Sequence, residues 1–298
     1  NDLVINSKKL NIPLIFIMNS WDNPSAGKFA SGKPNFYLAW GTQTSRHAHE
    51  YLNISKSRIR SFGAAQFEIY RSKPKIDKNT FLKNHNIKPN TKIILYAGGS
   101  LGTNEFEHLK LIEKEIEKGK YGDTIIIYRP HPWGGGGNRG DEIFNHSWNY
   151  VRIENTMRSY LESISKEGYK LSFPDYSDTH VVLTYVDFVI SPLSTILIEA
   201  AIHGKPIICF LPMEDIQAKH FQTVYSLPHF REFQNEKEVI LASNRKELIQ
   251  KINLLFDKFK DVSFSKKLKK MSQKYVENHK LEFSKRIINF VEEIKENV

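Results

Sequence analysis

The sequence predicts an α/β protein of two Rossmann-like lobes on parallel sheets, closed by a helical C-terminal tail. Three observations carry that prediction. Short apolar runs alternate with stretches of helical periodicity, the pattern of a doubly wound sheet. Several of the runs stop on Gly-rich or hydroxyl-rich turns, as strands do where an open parallel sheet binds ligands. From about residue 245 the helical pattern continues to the end. With 298 residues and 40% hydrophobic content, the chain can core two lobes of ordinary size.

Leu3-Val4-Ile5 reads as a first strand almost at the start, and the chain opens on Asn1 rather than Met, so the first lobe is expected to be incomplete. Residues 12–18 read as a buried strand, 36–40 as another, 44–52 as a helix and 57–62 as a short strand. Together, 1–70 form the partial N-terminal lobe. Residues 71–91 are polar, with Pro and one short helix, and form the interdomain connection. The second lobe, 92–244, opens with a strand at 92–97 that ends on Gly98-Gly99-Ser100. An amphipathic helix follows at 105–118, then a strand at 124–128 that ends on Arg129-Pro130-His131-Pro132. A short strand at 150–153 and a helical turn at 181–186 lead to a strand at 188–190. Ser191-Pro192-Leu193-Ser194-Thr195 then opens a helix that stops at Gly204, before a strand at 207–211. The tail is 245–298. The glycines at 134–137 read as a flap over a bound ligand.

Charge and cysteine use narrow the setting. Forty-three Lys and Arg against 33 Asp and Glu leave a net +10. Part of the excess lies in the tail, at Lys266, Lys267, Lys269, Lys270, Lys274, Lys280, Lys285 and Arg286. Such a surface is a solvated helix face or a site for an anionic partner. No nucleic-acid-binding motif is present, so the specific partner expected is an anionic membrane surface. No apolar run reaches the ~18 residues of a transmembrane helix, and no signal peptide is visible. The single Cys209 falls in a buried strand and has no intramolecular partner, which fits a reducing compartment and an inert core thiol. The expected location is cytoplasmic, peripheral on the inner face of the membrane. His47 and His49 are expected on a helix surface. His108, His146, His203, His220 and His229 show no metal-ligand spacing, and no Asp-x-Asp or Cys/His cluster exists, so no metal is expected.

The strand ends carry the chemistry. Gly98 and Gly99 allow close backbone approach to a ligand, or make a tight turn. His131 is fixed between Pro130 and Pro132; its imidazole can donate to a phosphate, with Arg129 adding charge. Ser191, Ser194 and Thr195 stand where helix dipole and unpaired amides attract an anion, although a plain helix cap uses the same residue types. Glu199, one turn further, can accept hydrogen bonds from ribose hydroxyls. In the first lobe Asp22 follows a strand and suits a general base toward an acceptor hydroxyl, or a turn cap.

These motifs give the chain a resemblance to bacterial surface-polysaccharide glycosyltransferases of the GT-B fold. Ser20-Trp21-Asp22-Asn23, with Leu38-Ala39-Trp40 and Gly63-Ala64-Ala65-Gln66-Phe67, looks like part of their N-terminal lobe. Arg129-Pro130-His131-Pro132 is similar to the His-Pro element of sialyl- and Kdo-transferases and of CDP-glycerol glycerophosphotransferases. The stretch from Asp187 to Pro206 looks like their donor-binding strand and helix, with Ser194-Thr195 as the hydroxyl pair. The resemblance covers about residues 10–215. It implies a metal-independent transferase without a separate cofactor, taking a CMP-, CDP- or UDP-linked donor on the second lobe and a glycan or lipid-linked acceptor toward the first. His131, Ser194 and Thr195 would hold phosphates and Glu199 the ribose. A nucleotide-sugar 2-epimerase and a non-catalytic nucleotide-binding module in polysaccharide assembly are the alternative functions.

Overall fold

A computed structural model describes residues 2–25, 32–99, 103–132, 140–167, 175–215, 222–223 and 225–296. Strands β1 (Ile15–Ile17), β2 (Phe36–Ala39) and β3 (Ile59–Ser61) form a three-stranded parallel sheet in that order. Helices α1 (Asp2–Lys9) and α2 (Thr42–Leu52) belong to this lobe. A 3-10 segment, Ala65–Arg71, and helix α3 (Lys78–Asn84) lead to the second lobe.

There, β4 (Lys92–Ala97), α4 (Glu105–Glu117), β5 (Thr124–Arg129), α5 (Gly140–Asn145) and β6 (Val151–Ile153) make the first half. Helices α6 (Asn155–Glu167) and α7 (Tyr176–Tyr185) lead to β7 (Phe188–Ser191), α8 (Ile196–Ile202), β8 (Ile207–Phe210), α9 (Pro228–Gln234) and β9 (Val239–Ala242). The sheet order is β6-β5-β4-β7-β8-β9, parallel throughout. The chain therefore winds outward from β4 in one direction, then restarts beside it at β7. That reversal lies between β4 and β7, and ligands bind at such a switch point, beyond the carboxyl ends of the strands.

Both faces of this sheet are covered. Ile93, Leu95, Ile127, Val189 and Cys209 point to one core with α7 and α8; Ile94, Tyr96, Ile126, Ile190 and Phe210 point to the other with α4 and α10 (Arg245–Lys258). Alternation along each strand with burial on both sides is why these segments read as unbroken apolar runs. Burial pushes the Cys209 thiol well up, in keeping with an inert core residue.

The tail is helical, as α10, α11 (Val262–Ser272) and α12 (Phe283–Glu296). Its last helix crosses back and packs Phe290 and Ile294 on Leu38 and Phe62 of the first lobe. Arg286 donates to the Phe62 carbonyl at 2.7 Å and pairs with Glu68 at 3.3 Å, so this member of the basic tail is a buried tie rather than a surface charge. Gly63 has φ +72°, and a Cβ there would lie 2.8 Å from the Glu277 carbonyl oxygen. Glycine permits both the turn and the close pass of the returning chain.

Three expectations are corrected. Leu3-Val4-Ile5 lies in helix α1, not a strand, with Leu3 and Ile5 exposed. The run at 12–18 supplies only the three-residue β1, and Ile17 is exposed, because β1 is an edge strand. His47 is buried rather than on the surface; its Nε2 lies 2.9 Å from Glu232, which Arg46 also holds. Helices α5, α6 and α9 and strand β9 had no counterpart in the sequence reading. The glycines at 134–137 and His220 lie outside the described residues.

Candidate functional site

The parallel sheet aligns the carboxyl ends of β5, β4 and β7, so His131, Gly98-Gly99 and Ser191 to Thr195 stand side by side. A Cβ on Gly99 would meet the Pro192 ring at 3.3 Å, so the turns after β4 and β7 touch across the switch point. Ser100 lies outside the described residues.

The Gly98 turn is shaped from within. The buried Glu105 carboxylate accepts from the Gly99 amide and the Thr103 hydroxyl, each at 2.7 Å, and from Tyr128. A Cβ on Gly98 would lie 2.6 Å from Glu105 Oε2. Glycine is required here because an internal carboxylate approaches the backbone. Burial raises the Glu105 pKa, against those hydrogen bonds.

Arg129 is also turned inward. Its guanidinium pairs with Glu154 at 2.6 Å and donates to Thr179 at 2.9 Å, with both charged groups buried. The expectation of a phosphate-facing charge is corrected, because the chain itself supplies the anion. Burial would raise Glu154, but Arg129 and hydrogen bonds from Thr156 and Met157 outweigh it and hold its pKa below the usual value. His131, two residues on, is half-buried with Pro132 beside it, and burial lowers it to about 4. Its imidazole is therefore neutral at pH 7.

Beyond β7, the buried Ser191 hydroxyl has no hydrogen-bond partner among the described residues. Thr195 caps α8 through its backbone, without a side-chain cap bond. Ser194 and Thr195 are thus both partly accessible hydroxyls at the rim.

Glu199 faces inward from α8. It is buried, accepts from the Tyr70 hydroxyl through Oε2, and is raised to about 7 by burial, against that bond and the Arg129 charge. Tyr70 comes from the 3-10 segment at Ala65–Arg71, so this contact joins the approach to the second lobe with α8. His203 Nδ1 donates to the Glu199 carbonyl at 2.7 Å, and its Nε2 lies 2.9 Å from His180 Nδ1. The Tyr70 and His203 rings are 4.7 Å apart. Sequence reasoning missed Tyr70, His180 and Glu105. The signal available for Tyr70 was a Tyr five residues after Ala65 in the Gly63 to Phe67 motif; nothing local marked the other two.

Asp22 lies on the other side, in the loop after β1, where it accepts from Ser20. Its neighbours Trp21 and Ser25 dock this loop on α9: Trp21 packs edge-on against His229 and Phe233, and Ser25 Oγ lies 2.7 Å from His229 Nδ1. Asp22 raises His229 electrostatically, against the burial that brings that ring to about 4. Among the described residues no group of three His, Cys, Asp or Glu could hold a metal ion, and no helix is long and apolar enough to cross a membrane.

The two parallel-sheet lobes, the switch point and the returning C-terminal helix define the GT-B class of architecture. No family model and no curated protein matches the chain. Solved structures do. A variant of the wall teichoic acid polymerase TagF is similar over 88% of this chain and 59% of its own, with TM-score 0.56 and 14% identity. The UDP-GlcNAc 2-epimerase from Neisseria meningitidis, bound to UDP-GlcNAc, is similar over 97% of this chain and 72% of its own, with TM-score 0.57 and 15% identity. The S. aureus MnaA-UDP co-structure covers 99% of this chain and 71% of its own, with TM-score 0.52 and 14% identity. The fold is GT-B. The chain spans well under two thirds of the TagF chain that it matches.

Proposed function

We propose that this chain binds a nucleotide-activated donor and transfers its sugar or polyol phosphate to a surface polysaccharide or lipid-linked glycan. The observation that carries the proposal is the convergence of His131, Ser194, Thr195 and Glu199 around the switch point of the second sheet. Neutral His131 would donate to a phosphate oxygen. The Ser194 and Thr195 hydroxyls and the open end of α8 would take the others. Glu199 has one oxygen on Tyr70 and would offer the other to a ribose hydroxyl. Charge that develops on the departing nucleotide would meet donors already in place, which lowers the barrier without reorganisation. Asp22 would take the acceptor proton. The basic residues Lys266, Lys267, Lys269 and Lys270 of α11 would bring the protein to an anionic membrane surface.

The similar structures fit this class: one TagF variant was soaked with CDPG, the MnaA structure holds UDP, and the Neisseria meningitidis epimerase holds UDP-GlcNAc. The test is a thermal-shift titration with CMP, CDP, UMP, UDP and GDP, with His131→Ala alongside. A ligand that binds the folded state alone raises its stability by mass action. The expected result is a rise with a cytidine or uridine nucleotide, lost in His131→Ala. No shift with any nucleotide, or an unchanged shift in the variant, refutes the assignment. A 2-epimerase is the second reading, favoured by the match of the UDP-GlcNAc 2-epimerase over 97% of this chain. Incubation with UDP-GlcNAc and no acceptor separates the two: an isomer appears only for the epimerase.

A further inference from the structure

A cavity lies at the outer edge of the six-stranded sheet, beside β6. It has a volume of about 330 Å³, and its walls include His85, Phe144, Trp148, Arg152, Asn155 and Arg158. No carboxylate lines it among the described residues. An adjoining cavity of about 230 Å³ shares His85 and Asn155 and reaches Glu154, the partner of Arg129 next to His131. The two cavities thus share a wall beside β6, and the second ends at Glu154.

Three features of the walls define a ligand. Arg152 uses one terminal nitrogen on the Asn149 and Val151 carbonyls, and Arg158 uses Nε on the half-exposed Glu162. Each keeps further N–H groups for an anion, in the fork geometry that suits phosphate. His85 is more than nine-tenths buried, and its Nδ1 donates to the Phe81 carbonyl at 2.9 Å. With Nδ1 donating, Nε2 is the ring's acceptor position, and it is buried without a partner among the described residues. An unpaired buried acceptor is costly, and a ligand hydroxyl would satisfy it. Trp148 is held by its indole N–H on the Ile143 carbonyl and braced edge-on by Phe106 and His146. That gives a fixed apolar surface for the C–H face of a polyol or sugar.

We propose that this edge pocket binds a phosphorylated polyol or sugar, its phosphate on Arg152 and Arg158 and a hydroxyl on His85. Resting on the transferase reading above, the pocket holds a unit of the acceptor chain at a distance from the bond being made.

The test follows the Trp148 indole N–H signal by NMR, assigned with Trp148→Phe, in protein with and without saturating UDP. The probes are glycerol 3-phosphate, inorganic phosphate and glycerol. Glycerol 3-phosphate is expected to shift the signal at lower concentration than phosphate, in both UDP conditions, and glycerol to leave it unmoved. Arg152→Gln with Arg158→Gln, both on the surface, should weaken the response about tenfold through lost charge-assisted hydrogen bonds. His85→Leu should bring glycerol 3-phosphate down to the level of bare phosphate; if that variant does not fold, the arginine pair decides. No shift with either anion, or a shift indifferent to the arginines, overturns the proposal, and equal response to both anions in the unsubstituted protein overturns the polyol assignment. A nucleotide response lost while Trp148 still responds refutes the donor reading alone; the converse refutes the edge pocket alone.

Discussion

Replacing Glu199 with Gln tests whether this buried carboxylate is held in α8 at a cost to stability. In the folded protein burial raises this group from 4.5 to about 7, with the Tyr70 hydrogen bond and the Arg129 charge opposing. The sign follows from linkage. Below pH 4.5 the group is protonated whether the chain is folded or not, and no penalty exists. Between 4.5 and about 7 the unfolded chain ionises first, so stability falls as pH rises. Above pH 7 the full cost remains, about 3 kcal/mol for the interval from 4.5 to about 7. Gln is neutral throughout and its carbonyl still accepts from Tyr70. Glu199→Gln should therefore gain on the parent protein progressively from pH 5 to pH 8.5, by up to about 3 kcal/mol, as read by urea unfolding of both proteins. The difference between the two curves isolates this group from every other titration. A gap that stays constant across that range refutes the reasoning. The same substitution should lower nucleotide affinity about tenfold, the worth of one hydrogen bond to a charged acceptor. Gain in stability with loss of binding is the signature of a group retained for function.

Gly98→Ala should cost about 1–3 kcal/mol by overpacking, since its Cβ would sit 2.6 Å from Glu105 Oε2, whereas Gly99→Ala, facing Pro192 at 3.3 Å, should cost less; urea unfolding orders the two. Arg129→Met should cost about 3–5 kcal/mol because it leaves Glu154 charged and buried, and adding Glu154→Leu should recover most of that loss, a cycle read from the same unfolding curves.

The second lobe was legible because its strands are buried on both faces. Segments such as 92–97 and 188–190 need no alternation, only a run of apolar residues between turn signals, and the turns that ended them proved to be neighbours at the switch point. The first lobe was harder to read. Leu3-Val4-Ile5 is three apolar residues long, too few to separate a period of 2 from 3.6, and it is helical with two of the three exposed. Strand β9 escaped notice because it is a four-residue edge strand, half-buried at its centre. His47 was misplaced because its partner Glu232 lies 185 positions away. Likewise Tyr70 and Glu199 are 129 positions apart, and local sequence gives no sign that they meet.

The three internal carboxylates of the second lobe differ in how fully the fold accounts for them. Glu154 has a buried arginine, a threonine hydroxyl and two backbone amides, and its pKa falls below the usual value. Glu105 has an amide and two hydroxyls, and it fills the space under Gly98. Both acids are accounted for by the fold, one as the partner of Arg129 and the other as the support of a turn. Glu199 accepts from Tyr70 alone among the described residues, shares the Arg129 charge at second hand, and is raised to about 7. A buried acid with so little compensation is unfavourable for stability. It stands on the helix that follows the switch point, where a ribose hydroxyl would complete its hydrogen bonding. Of the three, Glu199 has the fewest hydrogen bonds among the described residues, and under the proposed function it is where substitution should divide stability from binding.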